Sequence, residues 1–70
     1  MVEVSFRTVN LIDGPNAGNI GFVFHIFKRG SGHPGRTLTT VVEPNAADYP
    51  AVLRECASRL EEELKGAESW

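Results

Sequence analysis

The chain is expected to fold as a small α+β domain, a three-stranded antiparallel meander followed by one C-terminal helix (βββα). Three observations point there. Apolar and polar residues alternate from Val2 to Arg7, the run from Ile20 to Phe27 carries apolar side chains at both parities, and apolar residues recur at steps of three and four from Tyr49 to Leu64. A period of two is the signature of a strand and one of 3.6 that of a helix. All 70 residues, 1–70, make one domain, because a chain this short supports a single core and buries only about 60% of the surface its unfolded form exposes.

The first strand is expected over about residues 2–12. Val2, Val4 and Phe6 define one dry face, with Glu3, Ser5 and Arg7 on the wet one. Beyond Arg7 the apolar positions Val9 and Leu11 have the opposite parity, so either a bulge sits near Thr8 or the second half of the strand serves the other face. The bulge is slightly favoured. Asp13 to Asn19 is dense in Gly, Pro and Asn and closes a hairpin, since these residues accept left-handed or corner backbone.

The second strand, about 20–29, places Ile20, Phe22, Phe24 and Ile26 on one face and Val23, His25 and Phe27 on the other. Apolar side chains on both faces suit the central strand of three. Gly30 to Gly35 is a flexible connection, and the Thr- and Val-rich segment 36–43 is the third strand, stopped by Pro44. Asn45 and Asp48 are both good N-caps and Pro50 belongs only in a first turn, so the helix is expected over about 48–65.

Tyr49, Val52, Leu53, Cys56, Leu60 and Leu64 form its apolar stripe, while Arg54, Glu55, Ser58, Arg59, Glu61, Glu62 and Lys65 face outward. Glu55 with Arg59 and Glu61 with Lys65 have the favourable spacing of four. Gly66 is the expected stop, with Ala67 to Trp70 as a tail. Which face of the sheet the helix covers is left open.

Composition excludes several classes of function. With 41% hydrophobic and 23% charged residues, the chain has the balance of a globular domain, and no apolar run approaches the roughly 20 residues of a membrane span. The N-terminus has no basic start followed by an apolar core, so a cytoplasmic protein is expected. One cysteine, Cys56, makes no internal disulfide, and with only His25 and His33 it builds no zinc site. A buried structural thiol is its expected state, and neither a metal nor a cofactor is expected. The net charge of −2 divides into +1 over residues 1–45 and −3 over 46–70, far from the strong positive field of proteins that grip nucleic acid.

No catalytic constellation emerges. The glycine-rich segment from Asp13 to Gly21 lacks a Lys-Ser/Thr ending and leads into a strand rather than a helix, so it reads as a hairpin loop instead of a phosphate cradle. His25 and His33 have no nucleophile elbow or paired carboxylates around them. His25 is expected on the second sheet face, His33 in solvent, and the protein is not expected to be an enzyme.

The expected contact surface is the second sheet face, with Val23, His25 and Phe27, joined by Val41 and by Val9 or Leu11. Large contiguous apolar patches usually mark interfaces. Loops or the tail cover it, or a second copy does, or a protein partner, with strand addition at an open edge as a further mode. Lys28, Arg29, His33 and Arg36 form a modest basic hairpin tip that meets phosphates or an acidic surface, or is simply solvated. Glu61 to Glu63 form either a docking surface for a basic partner or a solvated helix face. Trp70 is an anchor for a partner, a cap folded over the helix end, or a frayed terminus.

Two resemblances follow. The order strand, Gly14-Pro15 loop, strand, Gly-containing loop, strand, helix resembles the later part of a double-stranded-RNA-binding domain, although Ala17 stands where that family's loop has His, and no lysine cluster opens the final helix. That resemblance implies RNA binding, with the lysines absent from this helix start as the residues that would hold phosphates. A compact, mildly acidic chain with one sheet, one helix and no catalytic set also resembles, in type, the small inhibitors of phages and mobile elements such as anti-CRISPR proteins. That likeness implies a non-enzymatic protein that covers a functional surface of a large host nucleoprotein complex, with a nucleic-acid-binding domain or a homodimeric accessory protein as the alternatives.

Overall fold

The computed structural model describes residues 1–45 and 47–70. It has the expected βββα order: β1 (Val2–Asn10), β2 (Ile20–Lys28), β3 (Arg36–Val42) and α1 (Tyr49–Ala67). The strands form one antiparallel sheet in the order β1-β2-β3, with β2 in the centre.

β1 pairs with β2 in unbroken register, from Val2 opposite Lys28 to Asn10 opposite Ile20. The bulge favoured near Thr8 is therefore absent. Val9 instead lies on the opposite face from Val4 and Phe6, directly across from Gly21, where a Cβ would sit 3.2 Å from its Cγ2. Gly21 leaves the room that lets Val9 pack there without a break in the ladder. β1 ends at Asn10 rather than residue 12, and Ile12 is 86% exposed in the hairpin loop.

α1 begins as the capping residues dictate. The Asp48 carboxylate accepts from the Ala51 N–H at 3.0 Å, and Pro50 sits in the first turn. The expected stop at Gly66 is overruled: the helix runs through it to Ala67, and Glu68 caps it with ordinary right-handed backbone. Packing explains the two extra residues. Ala67 is fully buried with Ile26 and Leu38, and Trp70 packs against this cluster, so the would-be tail is part of the core.

The core is small. Ile26 and Val42 are the large side chains removed fully from solvent; Ile26 clusters with Leu38 and Ala67, with Val2, Phe24, Leu60 and Leu64 packed around them, and Cys56 is buried as well. Cys56 is a buried free thiol, as its place in the stripe implies. Among the described residues neither expected helix ion pair forms: Lys65 pairs with Glu62 at 3.6 Å, and Arg59 instead donates a hydrogen bond to Thr40 Oγ1 at 2.8 Å. No helix among the described residues is long and apolar enough to cross a membrane.

Candidate functional site: two open surfaces of the sheet

Register assigns each strand residue to a face. Ile26 and Leu38 pack against Ala67, so the helix side of the sheet carries Val2, Val4, Phe6 and Thr8 from β1, Ile20, Phe22, Phe24 and Ile26 from β2, and Arg36, Leu38, Thr40 and Val42 from β3. The back of the sheet carries Glu3, Ser5, Arg7 and Val9, then Gly21, Val23, His25 and Phe27, then Thr37, Thr39 and Val41. Val23, His25, Phe27 and Val41 thus share the face away from α1, whereas Lys28 and Arg36 fall by register on the helix side.

That back face is less apolar than the β2 sequence alone suggests. Val23 is 8% exposed, flanked in register by Arg7 and Thr39, and with Ser5, Arg7, His25 and Thr37 it lines a shallow concavity. His25 Nδ1 lies 3.1 Å from Thr37 Oγ1, and its ring stacks on Phe27 with centroids 5.5 Å apart. Phe27 is further walled by Arg29, whose guanidinium carbon is 5.7 Å from the ring centroid and whose Nε pairs with Glu3, the cross-strand neighbour of Phe27. Val41, 42% exposed, is the open apolar group at the other end. The result is a mixed surface with two apolar anchors and polar groups between them.

The basic hairpin tip is held from within. Lys28 Nζ donates to the Glu68 carbonyl at 2.8 Å, Arg29 pairs with Glu3, Arg36 Nε lies 3.3 Å from Glu63 Oε2, and the His33 ring stacks on Trp70 at 3.9 Å and 4°. His33, expected free in solvent, is exposed on one side only of that stack, while Ser31 Oγ accepts from its backbone N–H and its Nδ1 accepts from the Gly35 N–H. Trp70 takes the role of a cap folded over the helix end. These contacts join the β2–β3 connection to the C-terminal end of α1, where a cation on a terminal carbonyl is favoured by the helix dipole.

A second open surface was not legible in the sequence. Val4 and Phe6 are 43% and 55% exposed although they face the helix side. Phe6 rests edge-on against Phe22 at 5.7 Å and tilted against Phe24 at 4.9 Å, and all three rings form an aromatic ridge beside α1. Geometry could have signalled it: three strands at about 4.8 Å spacing present a surface about 14 Å wide, more than one helix about 10 Å across can cover. Because α1 lies over β2 and its polar ties through Arg59 and Glu63 reach toward β3, the uncovered strip falls on β1.

Among the described residues no group of three or more His, Cys, Asp or Glu side chains converges on a point that could hold a metal ion. No protein-family model, curated protein or solved structure matches the chain.

Proposed function

We propose that the chain is a non-enzymatic protein-binding module whose contact surface is the back of the sheet. The observation that carries this reading is a whole sheet face with no element over it, bearing Phe27 and Val41 as apolar anchors around the polar His25, Thr37 and Ser5. Apolar groups ringed by hydrogen-bonding ones are the composition of transient protein interfaces. In its most specific form the module is a phage-type inhibitor that lies flat on a functional surface of a larger host nucleoprotein complex. The thin sheet-plus-helix shape supports that form.

The alternative, nucleic-acid binding through the hairpin tip, draws less support from the geometry, because Lys28, Arg29, His33 and Arg36 each already have an internal partner. The two readings separate in one experiment. The chain and its Phe27→Ala, Val41→Asp, Arg29→Ala and Arg36→Ala variants are immobilised and offered a host extract with and without nuclease, at low and high salt. A protein retained by the parent chain, insensitive to nuclease and lost with Phe27→Ala and Val41→Asp, supports the module. Retention that needs the two arginines and collapses with salt overturns it in favour of the nucleic-acid reading.

A further inference from the structure

β1 is an outer strand along its whole length of nine residues, with neither a proline nor a bulge to blunt it. Native proteins seldom leave such an edge open without charges, twists or a cover. Its hydrogen-bonding groups can be assigned from the hairpin end. The Leu11 N–H donates to the Asn19 carbonyl at 3.0 Å, and these two residues continue the register that pairs Asn10 with Ile20. Hydrogen-bonded pairs alternate along an antiparallel ladder. Val9, Arg7, Ser5 and Glu3 therefore turn their backbone groups toward β2, and Thr8, Phe6, Val4 and Val2 turn theirs outward to the free edge.

Two of the outward-facing residues, Val4 and Phe6, also leave their side chains uncovered beside α1, whereas Val2 packs against the core. On the back face Arg7 is exposed and has no hydrogen-bond or ion-pair partner among the described residues. Glu3 lies on that same face, four residues away and on the far side of Ser5; its Oε2 is held by Arg29, and its Oε1 is left to meet a second cation.

We infer that a second copy of this chain pairs with β1 in antiparallel fashion about a two-fold axis through Ser5. This register sets Val4 opposite Phe6 of the second copy, Val2 opposite Thr8, and Glu3 opposite Arg7, each twice by symmetry. Every outward N–H and C=O from Val2 to Thr8 then finds a partner. Cross-strand apolar and opposite-charge pairs are the units that stabilise such an edge.

The neighbouring registers fail on the same residues. An axis through Val4 sets Glu3 against Ser5, and one through Phe6 sets Glu3 against Val9, so neither joins unlike charges. An axis between residues sets outward backbone groups against inward ones. The product is a continuous six-stranded sheet with both helices on one face and the Val4 and Phe6 strips of the two copies meeting between them. This inference is separable from the partner-binding reading, whose anchors Phe27 and Val41 lie on β2 and β3 and which takes only Ser5 from β1.

Sedimentation equilibrium of the full chain and four variants, up to about 1 mM protein, tests the pairing. The parent chain is expected to pass from the 7.7 kDa monomer to twice that mass. Val4→Pro removes an outward N–H and no ladder bond to β2, so it should abolish the dimer while the circular dichroism of the monomer persists. Arg7→Glu, which sets like charges opposite each other twice, should raise the dimer Kd about tenfold or more. The double exchange Glu3→Arg with Arg7→Glu should recover part of that loss, the remainder being the cost of the Glu3–Arg29 pair. A chain monomeric throughout the range overturns the inference. So does a dimer indifferent to Arg7→Glu, or one abolished by Phe27→Ala, and these readings remain available even if Val4→Pro fails to fold.

Discussion

Gly35 shows how much one missing Cβ decides here. It has φ of +86°, and a Cβ at this position would lie 2.7 Å from the Ile26 carbonyl oxygen and 3.1 Å from the His25 ring. Both obstacles act together, since left-handed backbone disfavours a side chain and the neighbouring oxygen belongs to the central strand. Gly35→Ala is expected to destabilise the fold by about 2 kcal/mol, lowering Tm by about 10 °C in a thermal melt. An unchanged Tm would mean that the entry into β3 can shift freely. The same reasoning separates what single residues disclose from what they conceal. Glycine in the connection after β2 was legible as a turn former. Gly21 was not legible as the space for Val9, because a change of parity in β1 reads equally well as a bulge until the opposite strand is in place.

At the scale of elements, strands and helix were legible because their periodicities are local: alternation in β1, doubly apolar β2, and a stripe at steps of three and four in α1. Their ends were less so. Gly66 has the chemistry of a helix stop, yet burial of Ala67 and the seating of Trp70 on His33 carry the helix past it. It is now an exposed helical glycine with open space where its Cβ would be. Gly66→Ala is therefore expected to stabilise the protein by about 0.5–1 kcal/mol, raising Tm by about 4 °C. A fall in Tm would show that the helix end depends on the backbone freedom of Gly66. The ion pairs were misassigned for a similar reason: spacing along one helix proposes Glu55 with Arg59, but Arg59 has a better-placed acceptor in Thr40 on the neighbouring sheet.

The whole molecule is a slab of 39 × 25 × 15 Å. Its radius of gyration of 13.7 Å exceeds the roughly 11 Å of a compact chain of this length. Fifteen ångströms accommodates one sheet and one helix, with nothing on the back and nothing beside α1 on the β1 flank. Sequence periodicity could announce that two faces needed covering, and it located Val23, His25, Phe27 and Val41 together on one of them. It could not tell that the helix would settle toward β3, because that depends on contacts across elements, Arg36 with Glu63 and Arg59 with Thr40. The aromatic ridge of Phe6, Phe22 and Phe24 therefore escaped notice, although each ring was visible in the chain.

Among the described residues the polar ties between α1 and the sheet lie in the second half of the helix, at Arg59 and Glu63, and continue past its end in Glu68 and the Trp70 stack, whereas Tyr49 and Leu53 at its start stay substantially exposed. The helix is in effect a lever hinged at its C-terminal end. Local opening should travel from the capped start toward the clamp, so amide hydrogens of Val52 to Glu55 should exchange with deuterium well before those of Leu60 to Leu64. Uniform exchange along α1 would instead mean that the helix leaves the sheet as one rigid unit.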